Sequence, residues 1–396
     1  MNFYIFQHLS EDPVVSALIK FQQDGDEDAY FRAARTLIQF SRRRLTNRPV
    51  IQEYILRAML EHDCLPDINV LRDFMRHDIK LIYHELLSPD WDALFKEHGL
   101  LGMSSITADV CTTGLSSYAD SLCSILDSAS NEALGGALLA HIESFGTGTS
   151  AAYAALKWEG GRLVGIPYPD PITFDQLSGL AHQKDVLMAN TEAFLLGKPS
   201  NDVLLTGSSG CGKSSCVKAC LNRFKNQGLR LIELNKANLS ELNRLFRAIQ
   251  NPVLKYIIFI DDLSFEPDDV SYKLLKVALD GQAEARGSNI LIYATSNRRS
   301  LIKETWSERE GFAGDEVHRS EGLAEKKSLA ARFGINLSFL SPTQNEYLDI
   351  VQAMLRREGI VMDEAVRAQA LAWQMNYNGF SGRSAKQFVT NILSSR

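Results

Sequence analysis

Residues 207–214 read Gly207-Ser208-Ser209-Gly210-Cys211-Gly212-Lys213-Ser214, and they match the phosphate-loop pattern G-x-x-x-x-G-K-[ST] at every fixed position. The apolar run that ends at Thr206 predicts a buried strand before the loop. Residues 215–221 follow with helical spacing and contain neither Gly nor Pro. Because strand, glycine loop and helix occur in the order that this pattern needs, we favour a functional loop over a Gly/Ser-rich linker that matches by chance.

The residue types of the loop explain how it would bind phosphate. Its glycines let the backbone curl, so that successive N–H groups and the N-terminus of the following helix point at one anion. We expect Lys213 to reach the β- and γ-phosphates of a nucleoside triphosphate, and the Ser214 hydroxyl to ligate Mg²⁺. The predicted nucleotide-binding residues are Gly207, Ser208, Ser209, Gly210, Cys211, Gly212, Lys213, Ser214 and Ser215.

The composition is that of a globular protein with more than one domain. Of the 396 residues, 45% are hydrophobic and 23% are charged, which suffices for a buried core. The length exceeds that of one ordinary domain. The net charge of −6 and the pI near 5.8 give no electrostatic reason to expect binding to nucleic acid or to an anionic membrane.

Cysteine usage and the apolar segments point to the cytoplasm. The six cysteines form no C-x-x-C pair and one lies in the glycine loop, which favours reduced thiols over a disulfide framework. The first residues lack the basic region of a signal peptide. No stretch approaches the ~20 apolar residues that span a bilayer, so we expect a cytoplasmic protein without a membrane segment.

Residues 1–150 are expected to form a helical domain. Apolar residues recur at helical spacing, as in the sets Val15, Leu18, Ile19 and Phe21, and Phe31, Ala34, Leu37, Ile38 and Phe40. A Gly- and Thr-rich stretch at 144–149 marks the end of this domain. Residues 155–166 then alternate weakly around Gly160-Gly161, so we assign 151–171 to a hairpin and a linker.

From residue 172 onward, strands and helices are expected to alternate. Apolar runs at 203–206, 229–234, 256–260 and 289–295 are separated by helical segments. This pattern predicts an α/β domain over 172–340, with a parallel sheet covered by helices on both faces. Beyond residue 340 the strand signals stop, and helical spacing predicts a small helical lid over 341–396.

Two acidic residues end one of the predicted strands. The apolar run at 257–260 leads directly into Asp261 and Asp262. In phosphate-loop enzymes an acid at this place holds Mg²⁺ through water, so we assign Asp261 to the metal and Asp262 to the attacking water. Adjacent carboxylates repel each other, and a divalent cation would relieve that repulsion. The alternative is a buried strand that simply runs into an acidic loop, and the glycine loop upstream makes it the weaker interpretation.

Three further polar residues are weaker candidates from pattern alone. Asn297 follows the apolar run at 290–295, at the end of a strand where ligands bind in open α/β sheets. Arg332 and Arg383 could sense phosphate, but an arginine without further context is more commonly a surface ion-pair residue.

The order of these motifs resembles that of an AAA+ ATPase. Residues 155–393 are similar, more narrowly, to a bacterial family of AAA+ ATPases catalogued as a domain of unknown function. The similarity rests on residues 190–194, 259–266, 294–299, 325–334, 381–383 and 387–388.

The resemblance implies roles for the weaker candidates. Asn297 corresponds to the sensor-1 residue that positions water together with Asp262, and Arg383 corresponds to the sensor-2 arginine of the lid. Arg332 corresponds to an arginine finger that reaches the γ-phosphate on a neighbouring subunit, which implies a homo-oligomer. Two departures weaken the match. Asp262 stands where many AAA+ enzymes have Glu, and its shorter side chain would slow hydrolysis. Ala331 stands where the family has an acidic residue.

Two classes of function follow. The first is Mg²⁺-dependent hydrolysis of ATP, coupled to remodelling or loading of an unidentified macromolecular partner. The second is a nucleotide-gated binding module with little turnover, which the shorter arm of Asp262 keeps open. Replication initiators and helicase loaders share the AAA+ core, so a DNA-associated loader is a further alternative. The acidic pI and the lack of a DNA-binding motif do not support it.

Overall fold

A computed structural model describes residues 3–62, 72–106, 115–249, 251–265, 271–280, 286–297, 329–376 and 379–395. The chain divides into two compact units. One comprises residues 1–156, 163–169 and 250–254, and the other comprises residues 157–162, 170–249 and 255–396.

The first unit is built from helices. They are α1 (Pro13–Asp24), α2 (Glu27–Ser41), α3 (Val50–Leu60), α4 (Arg72–Ile82), α5 (Trp91–Glu97), α6 (Ser116–Leu126), α7 (Asn131–Phe145) and α8 (Thr149–Ala152), and a π-helical turn, Tyr83–Leu87, continues α4. Local sequence explains the ends of α1. The Asp12 side chain accepts hydrogen bonds from the first backbone N–H groups, and Gly25 ends the helix with a φ of 67°.

Helical spacing predicted α2 correctly but placed its buried face wrongly. The expected apolar stripe included Phe31 and Ile38, yet these side chains are 57% and 56% exposed. The buried positions include Tyr30, Ala33 and Leu37, of which Leu37 was part of the expected stripe. One residue along a helix corresponds to about 100° of rotation, so an offset of one position turns the stripe away from the core.

A fully buried carboxylate, Glu53, organises the polar interior of the first unit. It accepts hydrogen bonds from the Leu45 backbone N–H at 2.6 Å and from the Thr46 hydroxyl at 2.7 Å. The Arg44 guanidinium lies 3.4 Å from it. A buried charge is tolerated when it is paired and hydrogen-bonded, and these partners satisfy both conditions.

The chain forms a largely parallel sheet, as predicted. The strands are β1 (Ala155–Glu159), β2 (Arg162–Gly165), β3 (Val203–Gly207), β4 (Leu229–Glu233), β5 (Lys255–Ile260), β6 (Ile290–Ser296) and β7 (Ile335–Phe339). They lie in the order β2-β1-β4-β5-β6-β3-β7, and the pairs β4–β5, β5–β6, β6–β3 and β3–β7 are parallel. β1 and β2 flank the Gly160-Gly161 turn. β7 is a strand that the apolar runs of the sequence did not reveal.

The connections place helices on both faces of this sheet. α9 (Ala181–Leu195) precedes β3, α10 (Lys213–Phe224) links β3 to β4, and α11 (Leu242–Ala248) and α12 (Ser271–Asp280) follow β4 and β5. The step from β3 to β4 runs along the sheet in the opposite direction to the steps β4–β5 and β5–β6. Because such crossovers are right-handed, α10 covers one face while α11 and α12 cover the other.

Three C-terminal helices form the lid, as predicted. They are α13 (Gln344–Arg357), α14 (Glu364–Asn376) and α15 (Gly382–Ser394). Tyr347, Val351, Leu355, Ala370 and Phe388 give the lid a small apolar core of its own. Each helix in the described part of the chain is too short or too polar to cross a bilayer.

Candidate functional site

The glycine loop connects β3 to α10 and needs its glycines. Gly207 has a φ of 148°, and a Cβ atom there would lie 2.0 Å from the Phe339 carbonyl oxygen. Gly210 and Gly212 have φ values of 79° and 90°, in the left-handed region that favours glycine. Gly212 is the N-cap of α10, so the loop leads directly into the N-terminus of that helix.

The Lys213 side chain is buried beneath the loop. Its Nζ donates hydrogen bonds to the carbonyl oxygens of Gly207 at 2.7 Å and Ser208 at 2.8 Å, and to Asn297 Oδ1 at 2.9 Å. Burial lowers the pKa of the Lys213 amine, while nearby negative groups, including Asp261, act in the opposite direction. The structure thus holds one cation directly under the loop.

Asp261 follows β5 and joins the loop to the sheet. Its Oδ1 accepts a hydrogen bond from Ser214 Oγ at 2.7 Å and a second from the Thr295 hydroxyl. The structure therefore brings together the two residues that the sequence assigned to Mg²⁺. A serine hydroxyl and a carboxylate are both oxygen ligands of the kind that Mg²⁺ prefers.

Asp262 has an unusual backbone conformation. Its φ is 53°, which makes it the one non-glycine residue with a positive φ in the described ranges. Its backbone N–H donates to Thr295 Oγ1 at 2.9 Å, and its Oδ1 accepts from Asn297 Nδ2 at 2.6 Å. Strained backbone of this kind concentrates at functional sites and persists where the surroundings fix it.

Asn297 links the loop lysine to the second acid. Its amide oxygen accepts from Lys213 and its amide nitrogen donates to Asp262. Lys213, Asp262 and Asn297 follow the carboxyl ends of β3, β5 and β6, which are neighbours in the sheet and run parallel. Their carboxyl ends meet at one edge, where open α/β sheets bind ligands.

The lid contacts the loop directly. The Gly382 backbone N–H donates to the Gly210 carbonyl oxygen at 3.0 Å. A Cβ atom on Gly210 would lie 3.1 Å from Arg383 Cβ. The structure therefore places Arg383, at the start of α15, beside the glycine loop.

A cavity of about 1340 Å³ contains these groups. Its lining includes Ser209 to Ser215, Asp261, Asp262, Asn297 and Arg383, together with apolar side chains from two other places. One is residues 170–183, here called the lead segment, which contributes Ile172, Leu177 and Leu180. The other is the lid, which contributes Ile350, Met354 and Val389. Sequence reasoning missed both, because no local motif marks them.

Arg332 lies elsewhere. It occupies the turn before β7, and Ile335 at the start of β7 pairs with Val203 at the start of β3. The glycine loop follows the other end of β3, at Gly207. Arg332 therefore lies at the amino ends of the strands, whereas its own glycine loop lies at their carboxyl ends. The structure does not bring Arg332 to the other predicted site residues.

Some residues of the family resemblance lie outside the described residues. These are Glu266, Arg298, Arg299 and the stretch 325–328.

Comparison with known proteins identifies the family. The family described as "Protein of unknown function (DUF815)" matches residues 151–396. The chain belongs to this family. The match covers the hairpin, the sheet, the glycine loop and the lid of this DUF815 protein.

More distant likenesses exist among curated and solved proteins. A protein of Arabidopsis thaliana named AAA-ATPase At2g46620 is 31% identical over 156 residues, which is 37% of this chain and 30% of that protein. The RuvB Holliday junction branch migration motor of Thermotoga maritima is 15% identical with a TM-score of 0.37, over 57% of this chain and 65% of its own. The Orc1 protein of Aeropyrum pernix, in complex with DNA, is 16% identical with a TM-score of 0.40, over 55% of this chain and 60% of its own.

The DUF815 chain thus spans less than two thirds of each of these three relatives. Its own glycine loop, strand order and helical lid are those of an AAA+ P-loop NTPase fold.

Proposed function

We propose that this protein binds ATP with Mg²⁺ and hydrolyses it, and that the cycle remodels or loads a macromolecular partner. The observation that carries this proposal is the meeting of Lys213, Ser214, Asp261, Asp262 and Asn297 at one edge of the sheet. The domain boundaries near residues 150, 171 and 340 are proposed with it.

The residues present fit a nucleoside triphosphate with its metal. The three glycines adopt the positive φ values that let the loop backbone curl, and Lys213 supplies a compact cation. Ser214 and Asp261 would hold Mg²⁺, whose charge neutralises phosphate oxygens when it is bound. Arg383 would add a positive charge from the lid side of the cavity.

Asp262 and Asn297 would position and activate the attacking water molecule. The Asp262 carboxylate would orient a water molecule and accept its proton, and the 2.6 Å hydrogen bond from Asn297 fixes the position of that carboxylate. Asp has a shorter arm than Glu, so we expect slow turnover. This shorter arm also favours the second candidate function, a nucleotide-gated binding module in which hydrolysis is incidental.

Arg332 would act on a neighbouring subunit. Since it lies at the sheet edge opposite its own loop, it can serve as a finger only in trans. This role requires a homo-oligomer with a head-to-tail interface, because one subunit supplies the loop and the next supplies the arginine.

Steady-state ATPase kinetics with matched variants test the proposal. Lys213→Ala should bind ATP far more weakly than wild type, because the cation under the loop is lost. Lys218→Ala is the matched control, since it removes a lysine from the same helix but outside the cavity lining. Equal ATP affinity in folded wild-type and Lys213→Ala proteins would refute the site.

The same kinetics separate the two candidate functions. Turnover that rises with ATP and saturates supports the ATPase, while tight Mg-ATP binding without turnover supports the nucleotide-gated module. Capture of cellular partners with ATP-trapped Asp262→Asn protein, with and without nuclease treatment, would show whether the partner is a protein or a nucleic acid.

A further inference from the structure

Thr295 makes an unusual set of contacts for a strand residue. It lies near the end of β6 and is fully buried. Its hydroxyl accepts a hydrogen bond from the Asp262 backbone N–H at 2.9 Å and donates one to Asp261 Oδ1. Its carbonyl oxygen accepts from the Leu263 N–H at 2.7 Å. One side chain therefore contacts both adjacent acids.

These contacts account for the conformation of Asp262. A φ of 53° is disfavoured for a residue with a Cβ atom, and Asp is among the few types that tolerate it. Thr295 accepts hydrogen bonds from the backbone N–H groups of Asp262 and Leu263, and these bonds hold the backbone on both sides of the Asp262 side chain. The strained turn is thus fixed from β6 rather than by local sequence.

The bond to Asp261 has a second consequence. Asp261 Oδ1 accepts hydrogen bonds from two hydroxyls, those of Ser214 and Thr295. Ser214 is itself a metal ligand in the proposed function, so its hydroxyl is shared with Mg²⁺. Thr295 is not assigned to the metal, so its hydroxyl can orient the Asp261 carboxylate independently of Mg²⁺.

We propose that Thr295 is a positioning residue that sets the Asp261 carboxylate for Mg²⁺ and the Asp262 carboxylate for water. This inference rests on the proposed ATP and Mg²⁺ site and deepens it. Residues that hydrogen-bond to metal ligands orient them, and their loss typically lowers metal affinity or activity by roughly 10–100-fold.

The test compares Thr295→Val with Thr295→Ser. Valine keeps the branched shape and removes the hydroxyl, whereas serine keeps the hydroxyl. Thr191→Val is the matched control, because Thr191 is also fully buried and its hydroxyl bonds to Tyr293 OH at 2.9 Å, away from the acids. A loss of folding stability alone would affect both valine variants alike.

ATP binding is measured by calorimetry across a MgCl₂ titration, and ATP turnover is measured in parallel. In Thr295→Val we expect the Mg²⁺ concentration for half-maximal enhancement of ATP binding to rise roughly 10-fold or more, with ATP affinity in EDTA within about 2-fold of wild type. We expect kcat to fall by a similar factor, and Thr295→Ser and Thr191→Val to keep the wild-type Mg²⁺ midpoint.

An unchanged Mg²⁺ midpoint in folded Thr295→Val, or an equal shift in Thr191→Val, would overturn the inference. If Thr295→Val does not fold, Thr295→Cys takes its place, since a thiol is a weak hydrogen-bonding group, and it should shift the midpoint while Thr295→Ser does not. Failure of the proposed function is a different result, because wild type itself would then show no ATP binding that depends on Mg²⁺.

Discussion

Two inactive variants, Arg332→Ala and Lys213→Ala, should regain ATPase activity when they are mixed. The stretch of β3 from Val203 to Gly207 spans roughly 13 Å, and Arg332 lies beyond its far end relative to the loop. The guanidinium therefore cannot reach phosphate in its own chain. A subunit that lacks Lys213 can still offer its intact arginine to a neighbour.

The expected size of the rescue follows from this geometry. A site works when an Arg332→Ala subunit supplies the loop and a Lys213→Ala subunit supplies the arginine. In random head-to-tail assemblies this pairing occupies about one quarter of the interfaces at equal mixing. Activity should therefore peak near one quarter of wild type at that ratio and fall symmetrically on either side. Arginine fingers contribute roughly 10³–10⁵ in kcat, so either variant alone should be far below this level, although the short Asp262 arm reduces the contrast.

The assay is ATP turnover at a series of mixing ratios, with co-assembly checked by light scattering. Mixing Arg332→Ala with Lys218→Ala is the control, and activity should then rise in proportion to the Lys218→Ala fraction because every loop is intact. No rescue at any ratio in co-assembled preparations would show that Arg332 is a structural residue. A monomer that hydrolyses ATP at the full rate would refute the finger as well.

Three other predictions concern catalysis, the cavity and stability. Asp262→Asn should bind Mg-ATP normally but hydrolyse it at least roughly 100-fold more slowly, since general-base groups contribute about 10²–10⁴-fold to the rate. If the variant loses ATP binding as well, Asp261 and Asp262 share their roles. Arg357 in the lid donates hydrogen bonds to the carbonyl oxygens of Asp175 and Gln176 in the lead segment. Arg357→Ala should therefore raise the KM for ATP several-fold and leave kcat unchanged. A fall in kcat alone would contradict this. Burial lowers the pKa of His141 from 6.5 to about 4. The unfolded chain then takes up a proton at a higher pH than the folded chain, and the free energy of unfolding should fall by up to about 3 kcal/mol as the pH drops through that window. Urea titrations at several pH values should show this loss in wild type and not in His141→Phe.

The site could be predicted from the sequence wherever its chemistry is local. The glycine loop needs glycines and a lysine at fixed spacing within a few consecutive residues. The paired acids must directly follow a buried strand. Both signals therefore survive in a single sequence, and Ser214 and Asp261 do meet in the structure. The four strands with continuous apolar runs were equally visible, because both faces of a central parallel strand are buried.

β7 and the buried face of α2 show where such patterns fail. β7 is an edge strand in which Leu337 and Phe339 are buried while Asn336 and Ser338 are exposed, so it lacks a continuous apolar run. In α2 the helical period was right, but periodicity does not state which of two adjacent stripes faces the core. Packing against other helices settles that choice.

Only the tertiary structure showed how the site is assembled. The hydrogen bonds between Thr295 and the two acids, and the bond that Lys213 donates to Asn297, join residues that are far apart in sequence. The position of Arg332, at the opposite ends of the strands, likewise follows from the pairing of β3 with β7. The register of β3, β5, β6 and β7 sets these distances. A sequence specifies which residue types a strand ends in, whereas the hydrogen-bonded pairing of strands determines which of those ends meet.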